Sequence, residues 1–478
     1  MINYLTRLPS AGKSWRLGEI KAFMATLAST LMIPVETQVR EMDAKLLLGC
    51  LAAESGFPVI IGSRAFLHFR VGAIPRGVYL AKSMRVLSIR MFDILRKLGH
   101  EIVAWDEEGL LREADAEYYR WRLSPVTMGQ VSHLIAWGPD DARTFRDYPS
   151  YYGAPIHIAG SPRIDLMRPE LREFYRPEVD AIRERFGDFV LVNTNFSKVN
   201  HFYPELSELK KAITAEGTQG ANQFDIGKGR HKLALFEHFQ GMLPSLCEAL
   251  SDCNVVVRPH PAENHGPWVG MTKRCGNLHV ANDGNVIPWL MAARALIANG
   301  CTTQVEAAVL GTPTVSYQPV RAVEFDFELP NSLGRCVFLL DELCTTIRAM
   351  AKGELGPLDY ADRRKILDQH IAALDGPLAA ERIVRVLEAE GYNKRQPPAV
   401  PISDYVQGWS HNNLRTLVKR TNMRRPGHRN NLAYHAHRFP DISVEEIMRR
   451  VKRMGKLLNR FGTIKVTQMT KHIFRISN

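Results

Sequence analysis

Cysteine is sparse and odd in number. Cys50, Cys247, Cys253, Cys275, Cys301, Cys336 and Cys344 are the seven, and none forms the CxxC pair of a zinc or thiol-redox site. Reduced thiols in a cytoplasmic protein are the expectation. No apolar run reaches the roughly 18 to 20 residues that span a bilayer. Phe23 to Val35, behind Arg7, Lys13, Arg16 and Lys21, imitates a signal peptide, but cleavage there would remove a segment needed as the first strand. Low-complexity tracts and short repeats are absent, which excludes fibrous and wholly disordered classes. Neither GxGxxG nor GxxxxGKS/T occurs, so no dinucleotide fingerprint or P-loop is present. No DxD-type metal site occurs either, and no metal or cofactor is expected. Acidic charge is scarce at one end: from Lys394 onward 18 Lys and Arg meet 4 Asp and Glu, against 44 and 46 upstream. The whole net charge of +12 therefore belongs to the tail, which implies an anionic partner.

What is present fits two domains, the default for 478 residues. Continuous apolar runs alternate with helix-period segments, the signature of parallel sheets covered on both faces. The first series has strands at Leu31 to Val35, Phe57 to Gly62, Gly77 to Leu80, Glu101 to Trp105, His133 to Trp137 and Pro155 to Ala159. The second has strands at Phe189 to Asn193, Asn254 to Arg258, Leu278 to Ala281, Ala295 to Ala298, Thr314 to Tyr317 and Cys336 to Leu340. The predicted fold is α/β: two doubly wound, Rossmann-like domains facing a cleft. An extension covers 1–30, the domains 31–175 and 176–393, and a basic helical tail 394–478, packed on or trailing from the second domain. In the tail, Ser443 and Glu446 form a capping box, and Val444 to Phe461 reads as an amphipathic helix with Arg449, Arg450, Lys452, Arg453, Lys456 and Arg460 on its other face.

Three constellations carry chemistry. The strand Val255 to Val257 runs into Arg258-Pro259-His260-Pro261, whose prolines stiffen a loop offering donors where a phosphate would lie. A histidine capping a rigid turn is the plain alternative. Ala295 to Ala298 ends in Asn299-Gly300-Cys301-Thr302-Thr303 before a helix, a start that favours anions or is simply capped. Convergence of both loops on one phosphate is the stronger explanation. In the first domain, Glu101 to Trp105 delivers Asp106-Glu107-Glu108-Gly109, adjacent acids whose repulsion raises at least one pKa and suits a base or nucleophile, unless the turn is merely solvated.

Together these features resemble the bacterial CMP-sugar transferases of GT-B fold, the sialyltransferase and Kdo (3-deoxy-manno-octulosonate) transferase type. Within them the chain is similar to the surface carbohydrate biosynthesis proteins, through Pro34-Val35-Glu36-Thr37-Gln38-Val39-Arg40-Glu41-Met42-Asp43-Ala44-Lys45, Trp105 to Gly109, Gly160-Ser161-Pro162-Arg163 and Arg258 to Pro261. The resemblance runs from about Leu31 to Leu387. It implies a CMP-Kdo or CMP-nonulosonate donor as substrate, its phosphate held by His260, Thr302 and Thr303. It also implies that an acid of Glu107-Glu108-Gly109 does the chemistry, the first acid as base in inverting relatives or the second as nucleophile in retaining ones. Glu at both positions leaves that choice open.

Arg258, Pro261, Gly300, Asn195 and Glu306 complete the expected donor site, Glu306 either near a ribose or as a favourable acid in a helix's first turn. Asn193, Ser197 and Lys198 stand beside Asn195. Glu36, Arg40, Glu41 and Lys45 line the cleft or form a solvated helix face, and Asp140 and Asp141 cap a helix. The expected partners are the CMP-sugar, a glycan or lipid-linked acceptor and, through the Val444 to Phe461 helix, the inner face of the cytoplasmic membrane. Nucleic acid is not expected, since no binding motif accompanies the charge.

Overall fold

The computed structural model describes residues 28–112, 114–425 and 431–478. The expected extension 1–30 lies almost wholly outside them. In the first unit β1 (Thr30–Val35), β2 (Val59–Ser63), β3 (Gly77–Ala81), β4 (Glu101–Trp105), β5 (His133–Ala136) and β6 (Ile156–Ile158) form a parallel sheet in the order β2-β1-β3-β4-β5-β6. In the second, β7 (Phe189–Asn193), β8 (Asn254–Arg258), β9 (Leu278–Val280), β10 (Ala295–Ala298), β11 (Thr314–Tyr317) and β12 (Arg335–Val337) are parallel in the order β12-β11-β10-β7-β8-β9. The fold is thus two doubly wound α/β units. Strand order reverses between β1 and β3 and between β7 and β10, and the carboxyl ends at such switch points are where these sheets bind ligands. Val255, Val256 and Val257 are fully buried, as their unbroken apolar run requires.

Helix α1 (Gln38–Glu54) follows β1 and is covered on nearly every side, with Met42 to Ala53 all buried. Of the face allowed for as solvated at its start, Glu41 and Lys45 are enclosed because later parts of the chain pack over them, while Glu36 and Arg40 are half-buried. Helix α2 (Ile89–Lys97) flanks the first sheet, and α3 (Thr302–Leu310) follows β10. Beyond β12 the chain returns to the first unit through α4 (Ala379–Ala389), whose first N–H groups, Ala379 N and Ala380 N, donate to the buried Asp165 carboxylate at 2.8 and 2.9 Å. Burial pushes Asp165 up to about 7.

The tail departs from expectation. It comprises α5 (Ile402–Asn422), α6 (Leu432–Arg438), α7 (Val444–Leu458) and a hairpin of β13 (Lys465–Thr470) and β14 (Ile473–Ser477). The hairpin is antiparallel and β14 pairs with β2, so the tail extends the first sheet to eight strands rather than packing on the second unit. A strand edge at β2 left unpaired backbone groups, and β14 satisfies them. The expectation of a lipid-facing α7 is also overturned. Ile447, Val451 and Met454 are fully buried against the fold, while Arg450 pairs with Asp43 at 2.8 Å, Arg453 with Glu178 at 2.8 Å and Arg460 with Glu54 at 2.7 Å. Among the described residues no helix is long and apolar enough to cross a membrane.

Candidate functional site

The first wall of the cleft is built at the carboxyl ends of β1, β3 and β4. Glu41, in the first turn of α1, accepts from Glu36 N at 2.8 Å and Thr37 N at 3.2 Å, closing the end of the helix. Lys45, one turn on, donates to Pro34 O at 2.6 Å and pairs with Glu41 at 2.7 Å and Glu107 at 2.6 Å. Lys82, after β3, lies 2.9 Å from both Glu36 and Glu41 and 3.6 Å from Glu107. Arg64 adds a contact to Glu36 at 2.8 Å. Burial works against these charges, but Lys45 and Lys82 outweigh it and hold Glu41 far below the usual carboxylate range.

The acidic turn sends its three carboxylates apart. Asp106 is fully buried, accepting from Arg122 Nε at 2.8 Å and from the Tyr118 hydroxyl at 3.1 Å. Glu107 is enclosed with the two lysines. Burial pushes it up, Lys45 pulls it back, and the like charge of Glu41 adds to the rise. The expectation that neighbouring acids lift one another is corrected on this point: burial dominates, and the like charge that contributes stands on α1. Glu108 alone opens to the cleft, its side chain 62 % exposed with Arg122 at 3.0 Å. Desolvation at the wall raises it, yet Lys82 and Arg122 bring it below its ordinary value, so it is ionised at neutral pH.

The second wall is the carboxyl end of the second sheet. His260 stands exposed in its loop, and Ala262 N donates to its Nδ1 at 3.1 Å. That acceptor role leaves the ring proton on Nε2. Desolvation and the charge of Arg40 push His260 down to about 4, against the opposing charge of Glu108. At neutral pH it is therefore a neutral donor. Arg438 of α6, next to the His437 that meets the carbonyl of Pro261, pairs with Glu36 at 2.7 Å, so α6 ties the His-Pro loop to the wall that carries the acidic turn.

The strut under this loop is Glu263, which the sequence reading missed. Buried, it accepts from Phe196 N at 2.9 Å, His260 N at 3.1 Å, the Thr194 hydroxyl at 2.8 Å and Trp268 Nε1 at 3.2 Å. Burial pushes it up to about 7. Its only sequence signal was a lone acid in a Pro-stiffened loop. Arg258 is spent largely on structure, donating to Gly284 O at 2.7 Å and lying over Trp289. Pro261 gives its carbonyl to His437 of α6 at 3.3 Å.

At β10, Gly300 takes φ +55°, and a Cβ there would fall 3.1 Å from the Phe327 ring, so turn and space both select glycine. Asn195 ties its amide to Gly300 O at 2.9 Å. Thr302 accepts from Arg40 at 2.9 Å. Glu306 is buried and bridges the units, 3.0 Å from Arg40 and paired also with Arg163. Among the described residues, buried atoms on this wall without a partner include Thr303 Oγ1, both amide atoms of Asn193, Arg258 Nε and Asn331 Nδ2. Such groups stay costly until something bonds them. Lys82 and Arg163, like Glu263, had no role assigned from sequence, because a single Lys after a strand and an Arg in a short motif carry no spacing signal. Among the described residues no cluster of three or more His, Cys, Asp or Glu could hold a metal ion.

The chain matches no protein-family model, and no curated protein matches it. Among solved structures it is similar to the wall teichoic acid polymerase TagF at 9% identity and TM-score 0.48, covering 76% of this chain and 89% of that one. It is similar also to a UDP-N-acetylglucosamine 2-epimerase at 13% identity and TM-score 0.47, covering 79% and 99%. A third, a putative UDP-N-acetylglucosamine 2-epimerase from Listeria monocytogenes, gives 11% identity, TM-score 0.47, and 79% and 100% coverage. The chemistry of the cleft rests on the side chains described above.

Proposed function

We propose that the chain is a glycosyltransferase that moves a 2-keto-3-deoxy sugar acid, Kdo or a nonulosonate, from a CMP donor to a surface glycan or lipid-linked acceptor. What supports this reading is an ionised Glu108 on one wall and a neutral His260 on the other, beside unpartnered polar atoms at the ends of β7 and β10. In the proposed reaction the acceptor hydroxyl oxygen attacks C2 of the donor sugar, and Glu108 takes its proton. The bond from C2 to the phosphate oxygen breaks, and CMP leaves with the electron pair. His260 Nε2–H, Thr303 and the N–H groups at the start of α3 receive the phosphate charge. Glu107 is the less suitable carboxylate, because Lys45 and Lys82 already engage it. This reading places the reaction in the cytoplasm, at the inner membrane face where the acceptor is lipid-linked.

The test incubates the protein with CMP-Kdo, CMP-sialic acid, CDP-glycerol and UDP-N-acetylglucosamine, measuring thermal stabilisation and nucleotide release. Stabilisation by a CMP-sugar with CMP release supports the proposal. Turnover of CDP-glycerol instead makes it a polyol-phosphate transferase, and no stabilisation by any nucleotide leaves a non-catalytic binding scaffold.

A further inference from the structure

Helix α5 packs Tyr405 on the first unit's core but otherwise turns a small, polar strip inward. Its inward face, against α2, carries Gly408, Asn412 and Thr416, all buried, and Asn412 Oδ1, Thr416 Oγ1 and Arg415 Nη1 have no partner there. Gly408 is required by contact: a Cβ would fall 2.8 Å from Lys97 Cβ and 3.3 Å from Ile94 O. The outward face carries Ile402 (82 % exposed), Val406 (53 %), Trp409 (48 %), Leu414 (56 %), Leu417 (65 %) and Val418 (52 %). Ile402, Val406, Trp409 and Leu417 fall at spacings of four, three and eight on one arc that Asn413 and Arg420 share, with Trp409 leaning on Gly72 and with Leu414 and Val418 on the neighbouring arc. A helix that ends its life in water has the reverse distribution, and scattered single apolar residues do not make a stripe.

The surroundings select the occupant. His411 lies 4.0 Å from Asp93 and Gly408 beside Lys97, so α5 runs antiparallel to α2 and its carboxyl end reaches the start of α2. There Val86 and Leu87 add exposed apolar area, 60 % and 69 %, next to Arg90. Exposed Arg420, Arg424 and Arg425 complete the rim at that end. The acids near the stripe are Asp404, at the far end of α5, and Asp93, which Lys97 holds at 3.0 Å. An apolar stripe with Trp, bordered by arginine, complements a lipid boundary with anionic headgroups.

We propose that the outward face of α5, with Val86 and Leu87, docks on an anionic lipid surface, seating the first unit on the membrane. The inference stands whether or not the transferase reading does. The test is sedimentation of the full chain with phosphatidylglycerol-containing and phosphatidylcholine-only vesicles at low and high salt. Wild type is expected to bind the anionic vesicles and to be released by salt. Ile402→Ser/Val406→Ser/Leu417→Ser should keep its melting temperature and lose binding at least about tenfold, and Arg420→Ala/Arg424→Ala should lose it by about the same factor. Lys452→Ala/Lys456→Ala on α7 should bind as wild type. The proposal is overturned if wild type sediments with neither vesicle, if the apolar triple variant binds unchanged, or if only the α7 variant is lost. A concentration-dependent dimer abolished by the apolar triple variant also overturns it, in favour of a second copy.

Discussion

The two walls of the cleft solve opposite problems. On the first, Glu36, Glu41 and Glu107 interlock with Lys45, Lys82 and Arg64, so nearly every buried charge meets another from the same wall. On the second, His260 is neutral, and the Thr303 hydroxyl and the Asn193 amide are buried without a partner. A wall that satisfies itself is rigid and holds Glu108 in place. Under the proposed function, the unsatisfied wall would receive charge brought by a donor, since preorganised donors need no rearrangement to meet it. Removing a partner should therefore cost folding on the first wall and binding on the second.

The largest effect is expected from Lys45→Met. It leaves Lys82 to face Glu36, Glu41 and Glu107 without a second lysine, and breaking a buried pair in this way costs about 3 to 5 kcal/mol. Chemical denaturation checks it; a loss below about 1 kcal/mol would mean that water reaches the network. Glu108→Gln should lower turnover by about 10² to 10⁴ with stability unchanged, whereas Glu107→Gln should lower stability. The two variants side by side, assayed for CMP release and melting temperature, tell which carboxylate reacts.

His260→Ala should weaken donor binding by about 1.5 to 3 kcal/mol, the contribution of a hydrogen bond to a charged group, as titration calorimetry would measure. Because the His260 pKa is pushed down to about 4, its contribution should be level from pH 5.5 to 8. Stability, by contrast, should depend on pH. Glu263 and Asp165 are pushed up to about 7 by burial, above their unfolded values, so the folded state retains protons that the unfolded state releases. Their contribution is full below the unfolded pKa and lost as pH rises to 7 and beyond, and Glu263→Gln should flatten that part of the profile. In stronger acid Glu41 and Glu306, held low by their basic partners, work the other way. The smallest effect is expected from Thr303→Val: stability equal to wild type or slightly higher, donor affinity lower. Unchanged affinity would remove Thr303 from the site.

The alternation of apolar runs was enough to write two doubly wound units from the sequence, because a strand buried on both faces must be apolar throughout, as Val255 to Val257 are. The His-Pro loop and the Gly300 turn were legible for a similar reason, since proline and glycine restrict or free the backbone whatever surrounds them. The Ser443 cap was equally local, its side chain accepting from Glu446 N as the spacing required. What escaped depended on partners distant in sequence. Nothing near Lys82 announces that Glu36, Glu41 and Glu107 converge on it, and nothing near Glu263 says that it joins two loops. Glu107 and Glu108 are the same residue side by side, and only the packing of α1 encloses one and leaves the other in the cleft. The tail shows the limit most plainly. Its amphipathic period correctly gave helix α7, but a period fixes which residues share a face, not what that face meets. That was decided by the edge of β2, which β14 could pair, and by the surface of α1, which the buried stripe of Ile447, Val451 and Met454 covers.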